Sequence, residues 1–279
     1  MGHRAIKVAS IQLEVVYRDK KSTLAKVLEW IERAGQEKVD IAVFPELILS
    51  SAYAVGNDFI DLSETIPGPS TEAVASKAGS VGVAVVVGIA ERAQNDVLYN
   101  SAALIDKTGK LIGVYRKSHT FPATENIFGQ GNELPVFQMD FGTLAIPICY
   151  DLEFPEPGRV LALKGAEIIF TPAAHWQTTG VLGTPEHFIR TIYATRAREN
   201  RIPLVLSNRV GFDPDLKSDF AGLSRIVDSE GMTVEEAGRT EEMITAVIDL
   251  EEERVHRQHY NYFRDRKPSL YGEIVEKRP

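Results

Sequence analysis

Apolar residues along the chain fall into short continuous runs separated by stretches of helical period. Ile6, Val8 and the following Ala9-Ser-Ile-Gln-Leu13 predict a first strand. Lys21 to Gln36 comes next, with Leu24, Val27, Leu28 and Ile31 at i, i+3, i+4 and i+7, the spacing of one helix face. Asp40-Ile-Ala-Val-Phe44 then reads as a short buried strand that stops at Pro45-Glu46. This β-α-β order is that of a sheet with crossover helices.

The same reading continues downstream. Ile66-Pro-Gly-Pro-Ser70 is a turn whose serine is expected to cap a helix running to about Ala78. Gly82 to Ile89 predicts a buried strand. Tyr99 to Ile105 and Leu111 to Tyr115 predict a hairpin closed by Asp106-Lys-Thr-Gly109. Pro135 to Phe141 and Thr143 to Cys149 read as strands, Glu156 to Lys164 as a short helix, and Glu167 to Thr171 as a strand. Thr184-Pro-Glu offers a capping hydroxyl, a first-turn proline and an acid at the positive helix end, so a helix is expected from there to about Asn200. Leu204 to Asn208, Ala221 to Val227 and Ile244 to Leu250 predict the last strands, with a turn at Asp228-Ser-Glu-Gly231.

No break in composition marks a boundary, so residues 1–279 read as one α/β domain with two sheets, each covered by helices on one side. The pattern leaves the strand order open. Residues 251–279 are charged and aromatic, with Tyr260, Tyr262, Phe263 and Tyr271 spread through them, and are expected to form a tail that packs at a subunit interface.

Charge narrows the function. The chain has 31 basic and 39 acidic residues, a net charge of −8, and no Lys/Arg cluster, which argues against a nucleic-acid partner. The first apolar run is interrupted by Lys7, Ser10 and Gln12, so neither a signal peptide nor a membrane span is expected. One cysteine rules out an internal disulfide framework and fits a reducing compartment, so a cytoplasmic protein is expected.

That cysteine, Cys149, ends the run Thr143-Leu-Ala-Ile-Pro-Ile. A lone cysteine is commonly a small buried hydrophobe. One on a sharp turn after a strand is instead lifted out of the sheet, where neighbouring N–H groups point at whatever the sulfur attacks. Pro147 cannot donate to a ladder, so a local irregularity such as a bulge is expected there. Glu46 follows Ile41-Ala-Val-Phe-Pro and Lys117 follows Ile112-Gly-Val-Tyr-Arg. Each is an ordinary surface residue by itself, but three such side chains at carboxyl ends of strands lie where α/β sites form.

Phe44-Pro-Glu-Leu47, Tyr115-Arg-Lys-Ser-His119 and Ile148-Cys-Tyr-Asp-Leu-Glu-Phe-Pro155 resemble the three signatures of the nitrilase, or carbon–nitrogen hydrolase, superfamily. The resemblance runs from Val8-Ala-Ser-Ile-Gln12 to Ala246-Val-Ile-Asp249. It implies a four-layer α-β-β-α sandwich and a Glu–Lys–Cys triad at Glu46, Lys117 and Cys149, needing neither metal nor organic cofactor. It also implies a second acid at Glu125, which holds the substrate's amino group and helps to place Lys117. Tyr53, the backbone N–H of Tyr150, His175 and Trp176 are the expected substrate contacts. A small amide is the expected ligand, and a homodimer or higher even-numbered oligomer the expected assembly.

Within the superfamily, Tyr150-Asp151 after the cysteine resembles the amidase and carbamoylase branches rather than the Trp-Glu of true nitrilases. Carbamoyl-amino-acid hydrolases place arginines shortly afterwards, where this chain has Leu152, Glu153 and Phe154, so an amidase is favoured over a carbamoylase. Asp151, Glu153 and Glu156 predict an acyl part that is neutral or carries an amine rather than a carboxylate, unless Arg190 or Arg209 reaches the pocket. Arg198-Glu199-Asn200 reads as structural pairing at a helix end. Three rival readings remain: a Cys–His hydrolase using His119 or His175, a metal site at His256 and His259, for which a solvated helix face is the better account, and a silent binding member of the superfamily.

Overall fold

A computed structural model describes residues 4–52, 59–177 and 184–276. Strand β1 (Ala5–Gln12), helix α1 (Lys20–Gln36) and strand β2 (Ile41–Val43) form the expected β-α-β unit. Helices α2 (Phe59–Leu62) and α3 (Pro69–Val81) lead to β3 (Ala84–Arg92), and β4 (Leu98–Ile105) and β5 (Leu111–Arg116) form the hairpin. The short strands β6 (Phe128–Gly129), β7 (Phe137–Gln138) and β8 (Thr143–Ala145) precede α4 (Pro155–Leu163), β9 (Ile168–Pro172), α5 (Pro185–Asn200) and β10 (Leu204–Ser207). A small ribbon, β11 (Phe212–Asp213) and β12 (Ser218–Asp219), is followed by β13 (Arg225–Val227), β14 (Thr233–Glu236), β15 (Glu242–Asp249), α6 (Leu250–His259) and α7 (Tyr262–Asp265).

One sheet has the order β15-β1-β2-β3-β4-β5, with β6 paired to β4; the other runs β14-β13-β10-β9-β8-β7. Each has a parallel centre, β1-β2-β3 and β8-β9-β10, flanked by antiparallel strands. Parallel strands need both faces covered, and the central strand β2, Ile41-Ala-Val43, is accordingly apolar and buried throughout. In β3, Ala84 and Val86 join the core shared with the second sheet, while Val85, Val87 and Ile89 pack with Val27 and Ile31 of α1 and Val74 and Ala78 of α3. On the far side of the second sheet, Leu161 of α4 and Ile189, Tyr193 and Ala197 of α5 close the same core. The layers are therefore α-β-β-α. Two reciprocal bonds join the sheets: Ser10 Oγ donates to Leu206 O (2.6 Å) and Ser207 Oγ to Ile11 O (2.7 Å).

Several elements differ from expectation. Helix α3 starts at a Gly68 cap with Pro69 in its first turn, a placement that wastes no N–H, and Ser70 bonds Glu64 through both its N and its Oγ. The sequence pattern also misses β14, whose polar, mostly exposed residues pair with β13 at the sheet edge. The strand leading to Cys149 is shorter than expected. Its ladder stops at Ala145, and Ile146-Pro147-Ile148 lies beyond it, so Pro147 accompanies an early exit from the sheet and not a bulge.

The C-terminal residues fold back on the body of their own chain. Arg257 donates to Arg201 O (3.0 Å) and Ala166 O (3.3 Å), and the Arg201 guanidinium lies over the rings of Tyr260 and Tyr262. Leu270, Ile274 and Val275 remain exposed. His256 faces Glu252 and Glu253 at 4.0 Å on the exposed side of α6, in keeping with a solvated helix face. Among the described residues no helix is long and apolar enough to cross a membrane.

Candidate active site

The site forms beyond the carboxyl ends of the parallel strands. After β2 the chain turns through Phe44-Pro45-Glu46, and Glu46 N donates to Ala173 O (3.3 Å) just past β9. Gly88 of β3 permits this corner: a Cβ there would lie 2.6 Å from Leu47 N and 2.7 Å from Pro45 O. Lys117 follows β5, where its N–H bonds Asn100 O (2.8 Å) and its carbonyl accepts from Gly131 N (2.8 Å). Cys149 opens a 3₁₀ turn, Cys149–Glu153, with φ +43, a left-handed conformation that strains a non-glycine residue.

Glu46, Lys117 and Glu125 are all buried and converge. Lys117 Nζ donates to Glu46 Oε1 (2.6 Å) and to both oxygens of Glu125 (2.9 Å each). Asn100 Nδ2 donates to Glu46 Oε1 and Glu125 Oε1, both at 2.7 Å, and Phe121 N to Glu125 Oε2 (2.5 Å). A buried ammonium between two carboxylates satisfies the requirement that buried charges be paired. One atom is left over: among the described residues Glu46 Oε2 is buried with no hydrogen-bond partner. Burial pushes the Glu46 carboxyl up, against the pull of Lys117. Burial and the Glu46 charge push the Cys149 thiol well up, and Lys117 and the Ala174 amide offset only part of this. The resting pair is thus a neutral thiol beside a carboxylate of raised basicity.

Cys149 Sγ also lies 3.7 Å from Nε2 and 3.9 Å from Nδ1 of His175. Nearly equal distances mean that neither ring nitrogen is aimed at the sulfur. Nε2 is engaged by the Tyr193 hydroxyl at 2.6 Å, and burial pushes the His175 pKa down to about 4. An imidazole of such low basicity, with Nε2 taken up by a phenol, is a poor acceptor for a thiol proton and does not suit a Cys–His hydrolase. His119 is occupied elsewhere, with its Nδ1 at 2.9 Å from Asp151 Oδ1.

Comparison with known proteins bears on the chemistry. The profile of the family Carbon-nitrogen hydrolase matches residues 7–258. The chain belongs to the carbon–nitrogen hydrolase family. It is 32% identical to an (R)-stereoselective amidase of a Pseudomonas species, covering 97% of this chain and 95% of the relative, and 33% identical to an N-carbamoylputrescine amidase of Solanum lycopersicum, covering 98% and 96%. The crystal structure of a carbon–nitrogen hydrolase from Helicobacter pylori G27 superposes with a TM-score of 0.91 at 26% identity, covering 99% of this chain and all of the other. The protein is accordingly a hydrolase of carbon–nitrogen bonds other than peptide bonds.

Of the pocket residues expected in this carbon–nitrogen hydrolase, Tyr53 lies outside the described residues. Tyr150 meets Phe121 and Phe154 edge-on, each at 5.1 Å, and Trp176 meets Phe121 at 5.4 Å, so these rings make one aromatic wall anchored next to Glu125. Trp176 also packs on the cluster around Leu47 and Phe220, so part of its ring belongs to the core. The expected helix-end pairing is only partly as read. Arg198 pairs with Glu230, while Glu199 accepts from Arg196 (3.0 Å).

Three residues of the hydrolase have supporting roles that the sequence did not show. Asp151, expected as a pocket charge, is wholly buried and accepts from Ile148 N, Tyr115 Oη, Ser118 Oγ and His119 N at 2.7–2.9 Å, so its charge is consumed internally. Burial pushes its carboxyl up, but these bonds hold it below the ordinary range. Arg196 of α5 grips the nucleophile turn from behind, donating to Leu152 O (2.7 Å) and Glu153 O (3.0 Å). Asn208 accepts from His175 N (2.7 Å) and donates to Gly222 O (2.7 Å), fixing the segment that carries His175 and the Ala174 amide.

Proposed function

We propose that the protein is a cysteine-dependent amidohydrolase that cleaves a small non-peptide amide to a carboxylic acid and ammonia through a thioester. The observation that carries this reading is a buried Glu46 carboxylate whose Oε1 is tied to Lys117, whose Oε2 has no partner among the described residues, and whose charge is felt by the neutral thiol of Cys149. Glu46 takes the thiol proton as sulfur attacks the amide carbon. The oxyanion is received by Lys117 and the N–H of Tyr150, each such donor being worth about 10²–10³ in rate. The carbon–nitrogen bond breaks as Glu46 passes its proton to the departing nitrogen, and ammonia leaves. Water then attacks the thioester and gives a proton to Glu46. The carbon–sulfur bond breaks, and Glu46 returns the proton to the cysteine. Glu125 fixes the Lys117 ammonium and receives the substrate's amino group. No step calls for a metal or an organic cofactor.

A second reading is hydrolysis of an N-carbamoyl amine, favoured by the tomato relative named for that substrate. It uses the same residues and differs in products: amine, carbon dioxide and ammonia. The test is ammonia release from matched amides, N-carbamoyl amines and nitriles, with hydroxylamine present to trap an acyl group as hydroxamate. Acid and ammonia in equal amounts, hydroxamate on trapping, and loss of all three in Cys149→Ala would support the amidase. Ammonia accompanied by carbon dioxide would favour the carbamoylase. Turnover surviving in Cys149→Ala would overturn the mechanism.

A further inference from the structure

Glu153 ends the 3₁₀ turn that Cys149 begins, and its carboxylate is only partly exposed. It shares that turn with Cys149, and its charge is felt by the Cys149 thiol and the Tyr193 hydroxyl as it feels the Lys117 ammonium in turn, so it borders the site. Yet among the described residues its side chain makes no hydrogen bond and no ion pair. The cations that might serve it are engaged elsewhere. Lys117 is bonded to Glu46 and Glu125. Arg196 takes the backbone carbonyl of Glu153 and the carboxylate of Glu199, leaving the Glu153 carboxylate alone. Arg190 forks onto Glu236, and the Arg209 guanidinium lies 4.1 Å over the Phe220 ring. Burial without a partner pushes the Glu153 carboxyl up to about 7.

A half-buried acid with no partner is a standing cost, and native proteins ordinarily satisfy such groups. The missing partner is a cation that arrives with the ligand. The neighbouring wall suits one, since Tyr150 and Phe154 flank this turn and the face of an aromatic ring attracts an ammonium. We infer that Glu153 is a specificity-determining residue that receives an ammonium group on the substrate, so that the preferred amide or carbamoyl compound carries a second, protonated amine. This rests on the amidohydrolase reading above and narrows its substrate class. It excludes a carboxylate in the same place, which would meet Glu153 with like charge.

The experiment is a set of matched pairs at about pH 8, where Glu153 is ionised and alkylamines are protonated. β-Alaninamide, γ-aminobutyramide and δ-aminovaleramide are each compared with the amide bearing methyl in place of the ammonium. In parallel, n-butylammonium and n-butanol are compared for protection of Cys149 from iodoacetamide. The expected result is a kcat/KM ratio of about tenfold or more for at least one cationic member, and protection by the ammonium but not the alcohol. In Glu153→Gln both differences should collapse toward unity. Ammonia from the uncharged amides with no cationic preference and no protection would overturn this inference and leave the amidase reading in place. Protection by butylammonium without ammonia from any amide would overturn the amidase reading while the ammonium site stands. A ratio that persists unchanged in Glu153→Gln would assign the preference to another residue and overturn the role given to Glu153. The wild-type comparison decides the substrate class even if the variant folds poorly.

Discussion

Tyr115 Oη donates to Asp151 Oδ2 at 2.7 Å, and through that bond the strand that leads to Lys117 is tied to the turn that begins at Cys149. The same oxygen accepts from Ile148 N (2.9 Å), directly before the cysteine, and the other from Ser118 and His119, directly after the lysine. One carboxylate therefore braces the segment that carries Lys117 against the turn that carries Cys149. Asp151→Asn keeps the shape but replaces one of the two acceptor oxygens by an NH2 group that faces donors, and each buried group left unsatisfied costs about 1–3 kcal/mol. The variant is expected to lose about tenfold to a hundredfold in kcat with KM changed little, because misplaced groups act on the transition state. Tyr115→Phe should do the same more weakly. Steady-state kinetics on both variants is the check, and an unchanged kcat would reduce Asp151 to a folding role.

Glu46, Lys117 and Cys149 are expected to behave as one unit. Glu46→Gln and Lys117→Met should each lower kcat by about 10³ or more, and the double variant should be scarcely worse than the poorer single one. Losses that multiply would mean independent, peripheral roles. The comparison needs only initial rates on one good amide.

The third expectation concerns acid. His175 titrates at about 4 in the folded chain against 6.5 as its ordinary value. The native state thus binds fewer protons than the unfolded state between these values. The contribution is fully present above about 6.5 and is lost as pH falls toward about 4, amounting to about 3 kcal/mol at most. Urea midpoints should therefore drop on going from about pH 7 to about pH 5, and the drop should shrink in His175→Gln. An identical drop in both proteins would place the acid sensitivity elsewhere.

For assembly, we propose a homodimer or a higher even-numbered oligomer that uses residues 251–279. Leu270, Ile274 and Val275 stand 72%, 60% and 85% exposed, which is unusual for three aliphatic side chains so close in sequence. Light scattering should give a mass of at least two chains at micromolar concentration. Ile274→Asp together with Val275→Asp should lower it to one. A mass of one chain for the unaltered protein, independent of concentration, would contradict the proposal.

The convergence of Glu46, Lys117 and Cys149 was legible because each follows a recognisable apolar strand, and the end of a strand is a place in space as well as in sequence. Glu125 became legible only through the family resemblance, since its loop has no periodicity of its own. Asp151 shows the limit: its position was plain, but an acid after a cysteine reads as a pocket charge until its donors at Tyr115, Ser118 and His119, 32 to 36 residues away in the chain, are seen to consume it. Arg196 and Asn208 escaped for the same reason, their partners being brought near by the packing of α5 and β10. The polar edge strand β14 carries too little apolar pattern to be read at all.

Cys149 is the sole sulfhydryl of the chain and is only 6% exposed. On the proposed mechanism, any thiol reagent that reacts with the folded protein therefore counts intact nucleophiles, and a simple colorimetric titration becomes a census of competent molecules in a preparation. The same economy leaves the protein without a sacrificial or resolving thiol of its own. Once peroxide carries this sulfur past the sulfenic stage, no disulfide within the chain can intercept it, and the molecule is permanently retired.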